Sequence, residues 1–172
     1  VIQGTGNING LLDKIWDINE HQKEIIFRKL WQLFDCHLTG KVIAFWGASF
    51  KPNTNSLAQA PILNILEACW AQGAITKVHD PRALINLKAL YPNQDLLVIC
   101  EDQYEAVIDA DALCLVTEWK QYWSPDYEML HQYMRRPNII DGRNIYNPEY
   151  VSQQGFQYFG IGRQGYMKND RD

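Results

Sequence analysis

The stretch "KVIAFWGASFKPNT", residues 41–54, decides the fold. Its first seven residues are a short β-rich apolar run that ends on Gly47. A loop of roughly thirteen residues follows before the next helical pattern, long for a βα connection and so a candidate functional loop. Downstream, "PILNILEACWAQG" (61–73) predicts a helix, with Pro61 in its first turn and Gly73 past its end. The same alternation then repeats. Strands are predicted at 74–80, 95–101, 111–119, 137–144 and 156–162. Helices are predicted at 81–90 (opened by Pro81), 102–110, 124–134 (Ser124 as cap, Pro125 first) and 147–155. Strands alternating with helices imply an α/β fold, an open, mainly parallel sheet with helices on both faces.

Upstream, residues 7–35 read as one long helix. Leu11, Ile15, Ile18, Ile25, Ile26, Leu30 and Leu33 recur at helical spacing, and Trp16, Phe27 and Trp31 widen the apolar surface. Such a helix packs against its own domain or against another domain or subunit, and the pattern leaves both open. The expected organisation is a leading helix (1–38), a compact α/β domain (39–163) and a polar tail (164–172).

Bulk properties exclude several classes. The 172 residues suffice for one domain with a real core, and a net charge of −4 gives no global basic field for nucleic acid or anionic membrane. No apolar run approaches the ~20 residues that span a bilayer, and no signal peptide is expected from the first residues given. The chain starts at Val1 and its first methionine is Met129, which reads as a piece of something longer. Cys36, Cys69, Cys100 and Cys114 form no CxxC pair. Three lie in apolar runs, as reduced thiols of a cytoplasmic protein would.

In an open parallel sheet, ligands bind beyond the carboxyl ends of the strands. The residues delivered there are Phe50 and Lys51; Asp80; Glu101 and Asp102; Thr117, Glu118 and Trp119; and Asp141, Gly142, Arg143 and Asn144. Two cations stand close to strand ends, Lys51 and Arg143, and both suit phosphate oxygens. Gly142 would let backbone approach a ligand. The alternative is that the cations pair with Asp80, Glu118 and Asp141 as salt bridges. A dinucleotide site is disfavoured: the first turn has one glycine where the fingerprint wants three, and Pro52 stops a helix from starting there. Asp80 is a weak candidate for a ribose-binding acid. His21, His37, His79 and His131 show no metal-ligand spacing with the cysteines, so neither a metal site nor a catalytic centre is expected.

The motifs "KVIAFWGASFKPNT", "VHDP", "ADALCLVTEW", "IIDGRNIYNP" and "YFGIGR", with "INEHQK" (18–23) before them, together resemble the C-terminal domain of the UDP-glucose 6-dehydrogenases over about residues 7–163. The resemblance implies a Rossmann-like domain that grips a UDP-sugar. It also implies a parent enzyme that oxidises UDP-glucose to UDP-glucuronate with two NAD through a cysteine thiohemiacetal. The long helix would join two such domains and form much of a homodimer interface. By motif, Phe50 and Lys51 would contact substrate and Arg143 its nucleotide portion. The family's "GGSCFPKD"-like cysteine motif and its amino-terminal GxGxxG that binds NAD are absent, so NAD would be held mainly outside this stretch and the stretch alone would be inactive. Relatives carry "TDDMREAPS" where this chain has "TNSLAQAPI" (54–62). Asn55, Ser56, Ala58 and Gln59 thus replace charged residues, including an arginine that in the family reaches toward NAD. That leaves two other readings open: a non-catalytic nucleotide-sugar-binding or dimerisation module, and a dehydrogenase for UDP-N-acetylhexosamine or GDP-mannose.

Overall fold

The computed structural model describes residues 25–162, so the expected helix over 7–24 and the polar tail from 163 lie outside the described residues. Six strands are joined by helices: β1 (Val42–Trp46), β2 (Ile75–His79), β3 (Leu97–Ile99), β4 (Ala112–Leu115), β5 (Asn138–Asp141) and β6 (Gln157–Gly160). The helices are α1 (residues 25–33), α2 (Pro61–Ala71), α3 (Leu84–Leu90), α4 (Gln103–Val107), α5 (Tyr127–Tyr133) and α6 (Pro148–Gln153), with a 3₁₀ turn at Lys120–Tyr122.

The strands form one sheet in the order β3-β2-β1-β4-β5-β6, and every neighbouring pair is parallel. The expected open parallel sheet is present. Central strands carry side chains to two covered faces, which is why β4 and β5 are buried at every position. In β1 the period of two sorts Ile43 and Phe45 to one core, and Ala44 and Trp46 to the other. The first core includes Ile62, Leu66, Val78 and Leu87; the second includes Leu115, Tyr122, Leu130, Val151 and Phe156.

Helix α1 packs onto the first core. Ile26, Leu30, Phe34 and Leu38 are buried in the first core, each side chain contributing roughly 1.5–3 kcal/mol by leaving water. Phe27 and Trp31 pack against the same core but remain partly exposed, with ring centroids 6.0 Å apart.

Register aligns the strand ends. His79 pairs with Trp46, Trp46 with Leu115, Leu115 with Asp141, and Asp141 with Gly160. One line of carboxyl-terminal residues therefore crosses the sheet, and chain order reverses on it between β1 and β4.

Two local expectations change. Helix α3 starts at Leu84 rather than Pro81, because Asp80 Oδ1 accepts the N–H groups of Arg82 and Ala83 and forms a turn first. Helix α5 starts at Tyr127, capped by the Asp126 carboxylate on Met129 N at 3.1 Å rather than by Ser124. Gly142 is needed for packing as well: a Cβ there would lie 2.6 Å from both Ile26 Cδ1 and the Leu115 carbonyl oxygen.

Candidate functional site

The turn after β1 is closed against the sheet. Gly47 has φ +95°, and a Cβ on it would stand 2.5 Å from Thr117 Cβ. Thr117 Oγ1 donates to the Ser49 carbonyl at 2.6 Å, tying the end of β4 to the loop. Asp80, 2% exposed, draws the same loop inward from the end of β2. Its Oδ2 accepts Ala48 N (2.8 Å), Ser49 N (3.0 Å), Ser49 Oγ (3.1 Å) and Trp119 Nε1 (3.2 Å).

These bonds decide the dinucleotide question for the described residues. A pyrophosphate at the β1–β4 crevice needs main-chain N–H donors and a helix N-terminus. The Ala48 and Ser49 N–H groups are spent on Asp80, and α2 begins at Pro61. Asp80, the candidate ribose acid, faces protein on both oxygens. The described residues therefore do not fit NAD at this turn.

The rest of the loop is a series of tight turns. Phe50 N donates to the Ser56 carbonyl (3.0 Å), Ser56 N to Thr54 Oγ1 (3.1 Å), and Ala58 N to Ser56 Oγ (3.2 Å). The uncharged residue at 56 thus caps its own turn, while Asn55 lends its carbonyl to Asn86 Nδ2 at 2.8 Å. Ala58 and Gln59 are exposed beside Leu57, Leu63 and Leu90.

The two cations differ. Lys51 is exposed, and its side chain makes no ion pair or hydrogen bond among the described residues. Arg143 is knitted in: Nε donates to the Val116 carbonyl at 2.8 Å and Nη2 to the Phe50 carbonyl at 3.2 Å. Glu118 Oε2 lies 3.0 Å from the same Nε, so the salt-bridge alternative holds for Arg143 and fails for Lys51. The Phe50 ring packs against the first core, so at this edge Phe50 offers its carbonyl to Arg143. The turn carrying Arg143 is rigid. Asp141 Oδ1 accepts Arg143 N at 3.0 Å, and the Asn144 amide exchanges two hydrogen bonds with the Ile161 main chain.

Two recesses open at this edge and share Glu118. One, of about 350 Å³, is lined by Glu118, Gly142, Arg143, Asn144 and Ile161. The other, of about 570 Å³, lies between the Lys51 loop (Pro52, Asn53) and the 3₁₀ turn (Lys120, Gln121), with Trp123 at its side. Lys120 is a third cation that the sequence reading missed. It follows the predicted fourth strand, and only the 3₁₀ turn brings it back to the loop.

Among the four free cysteines Cys36 is exposed and the other three are buried. Burial pushes the Cys69 thiol up to about 12, the Cys100 thiol up to about 11 and the Cys114 thiol well above its ordinary value. Such thiols are protonated at neutral pH and inert. The described residues hold no cluster of three metal-ligating side chains, and none of their helices is long and apolar enough to cross a membrane.

Residues 44–148, which contain the loop, the 3₁₀ turn and the Arg143 turn, match the UDP-glucose/GDP-mannose dehydrogenase family, UDP binding domain. The chain belongs to this family. It is 43% identical over 148 residues to the UDP-glucose 6-dehydrogenase of Pseudomonas aeruginosa, covering 84% of this chain and 33% of that protein. It is 34% identical over 146 residues to the UDP-glucose 6-dehydrogenase of Rhizobium meliloti, covering 85% and 33%. The chain thus spans about a third of the length of these dehydrogenase relatives. In fold it resembles the UDP-glucose dehydrogenase of Pyrobaculum islandicum, with a TM-score of 0.73 at 21% identity over 95% of this chain and 35% of that one.

Proposed function

We propose that this chain is the C-terminal substrate-binding part of an NAD-dependent UDP-glucose 6-dehydrogenase, which oxidises UDP-glucose to UDP-glucuronate, and that it grips the UDP-sugar at the carboxyl edge. The observation that carries this is the convergence of cations from different strand ends. Arg143 reaches across to the Phe50 carbonyl, next to which stands Lys51, unpaired among the described residues. In this reading Lys51 neutralises the diphosphate, Arg143 holds the nucleotide end, and Phe50 contacts substrate while shaping the loop.

The domain occupies 39–163, with the leading helix at 1–38 and a polar tail at 164–172. The family's catalytic cysteine motif and its amino-terminal GxGxxG turn are absent from the sequence, so this stretch alone is inactive and NAD is held outside it. The spent N–H groups at the first turn support that division. The stacked, partly exposed Phe27 and Trp31 support a homodimer through the leading helix. Free buried thiols fit a cytoplasmic setting.

Calorimetric titration of the chain with UDP and UDP-glucose tests the reading. Lys51→Ala and Arg143→Ala should each weaken UDP-glucose binding by about 10-fold or more, the scale of a lost charge-assisted hydrogen bond. Absence of UDP-glucose binding by the chain and by its intact parent, or binding indifferent to both substitutions, would sink it.

A further inference from the structure

Three carboxylates stand at the carboxyl edge near the cations, and they are used differently. Asp80 accepts six donors from the protein. Asp141 accepts three, from Arg143 N, Tyr146 N and Tyr158 Oη. Both are scaffold. Glu118 is not: its Oε2 has no hydrogen-bond donor among the described residues, although it lies 3.0 Å from Arg143 Nε. That nitrogen gives its hydrogen to the Val116 carbonyl instead.

Arg143 is therefore already aimed by two main-chain carbonyls, and the neighbouring carboxylate adds charge rather than direction. Oε2 is buried against Arg143, but the Glu118 side chain as a whole is 33% exposed and lines both recesses, so its charge is felt by whatever enters them.

We infer that Glu118 is a specificity-determining residue: its charge beside Arg143 selects a sugar-capped diphosphate over a free nucleoside diphosphate. This rests on the reading that Lys51 and Arg143 hold the diphosphate. A capped diphosphate has one negative charge on each phosphate. A free one approaches a third near neutral pH, because a terminal phosphate ionises again at about pH 6. Lys51, Lys120 and Arg143 alone would favour the more highly charged ligand. Glu118 opposes that third charge where Arg143 holds the phosphates, and like-charge juxtaposition of this kind suppresses wrong partners. The buried Asp141 adds to the same opposition, with its oxygens already shared among protein donors.

The experiment compares UDP-glucose, UDP and the methyl ester of UDP on its terminal phosphate, by calorimetry on the full chain. Wild type should bind the methyl ester at least as tightly as UDP, despite its lower charge. Glu118→Gln should reverse that order, tightening UDP about 5–10-fold while the ester and UDP-glucose change less than about 3-fold. Glu118→Asp, which keeps the charge, should retain the wild-type order. A wild type that prefers UDP to its ester overturns the inference without any variant, as does a Glu118→Gln protein with an unchanged ratio. Failure of wild type to bind UDP-glucose, or binding indifferent to Lys51 and Arg143, overturns the underlying reading instead and takes the inference with it.

Discussion

Four donors converge on a single oxygen of Asp80, and two more on the other. An asparagine there keeps one acceptor and turns an NH₂ toward donors of which only Trp119 Nε1, shared with Ser49 Oγ, has another acceptor. Unmet buried donors cost about 1–3 kcal/mol each. Asp80→Asn should therefore lower unfolding free energy by about 3–5 kcal/mol, read as a lower urea midpoint. A midpoint within experimental scatter of wild type would show that the network is not what holds the loop. The sequence brought Asp80 to the right strand end but did not reveal its allegiance. Which donors a carboxylate takes depends on loop N–H groups some thirty residues away, and no local pattern records where those point. The same limit applies to Arg143. Its position and charge were readable, whereas its bonds to Val116 and Phe50 exist only once β1, β4 and β5 lie side by side.

At the scale of elements, the strands were legible because buried parallel strands are short apolar runs bracketed by turn residues, and β1 and β4 read that way. Their ends were overcalled by one to several residues, since pairing partners rather than propensity end a ladder. The 3₁₀ turn at Lys120–Tyr122 was missed because it is held by tertiary contacts. Tyr122 is buried, stacks on Trp46 with centroids 5.1 Å apart, and meets His79 Nδ1 through its hydroxyl at 2.7 Å. That joint is pH-sensitive. Burial lowers the pKa of His79, and the nearby Asp80 and Asp102 carboxylates and the Glu101 main chain pull upward without prevailing. Its folded-state pKa is thus below its ordinary value of 6.5, so near and below that pH the unfolded chain binds the proton more readily. Stability from this group is complete above about pH 6.5 and is lost as pH falls toward the folded pKa. Denaturation midpoints measured from pH 7.5 down to 5 should fall, and His79→Gln should flatten the part of the slope that belongs to this joint. An equal slope in the variant would assign the acid sensitivity elsewhere.

For the whole molecule, the decisive fact is which end of which strand keeps free donors. The topology is that of a dinucleotide fold, with the order reversal between β1 and β4. Yet Gly47 packs on Thr117 and the N–H groups of Ala48 and Ser49 close onto Asp80, so the usual phosphate turn serves the protein. Lys51, unpaired among the described residues, and the two recesses lie farther along the same edge. A fold that accepts dinucleotides elsewhere should here respond to one nucleotide and ignore the other. Ligand that binds only the folded state stabilises by RT ln(1 + [L]/Kd), about 2.7 kcal/mol at 100 times Kd. For a chain of 172 residues, that corresponds to a rise in Tm of roughly 5–10 °C. UDP-glucose should produce such a rise in the full chain, and NAD at the same concentration should leave Tm where it was. The two ligands present together should do no more than UDP-glucose alone. A rise with NAD would mean that the loop after β1 opens and releases its N–H groups from Asp80, and Asp80→Asn would then have to increase the NAD response rather than abolish it.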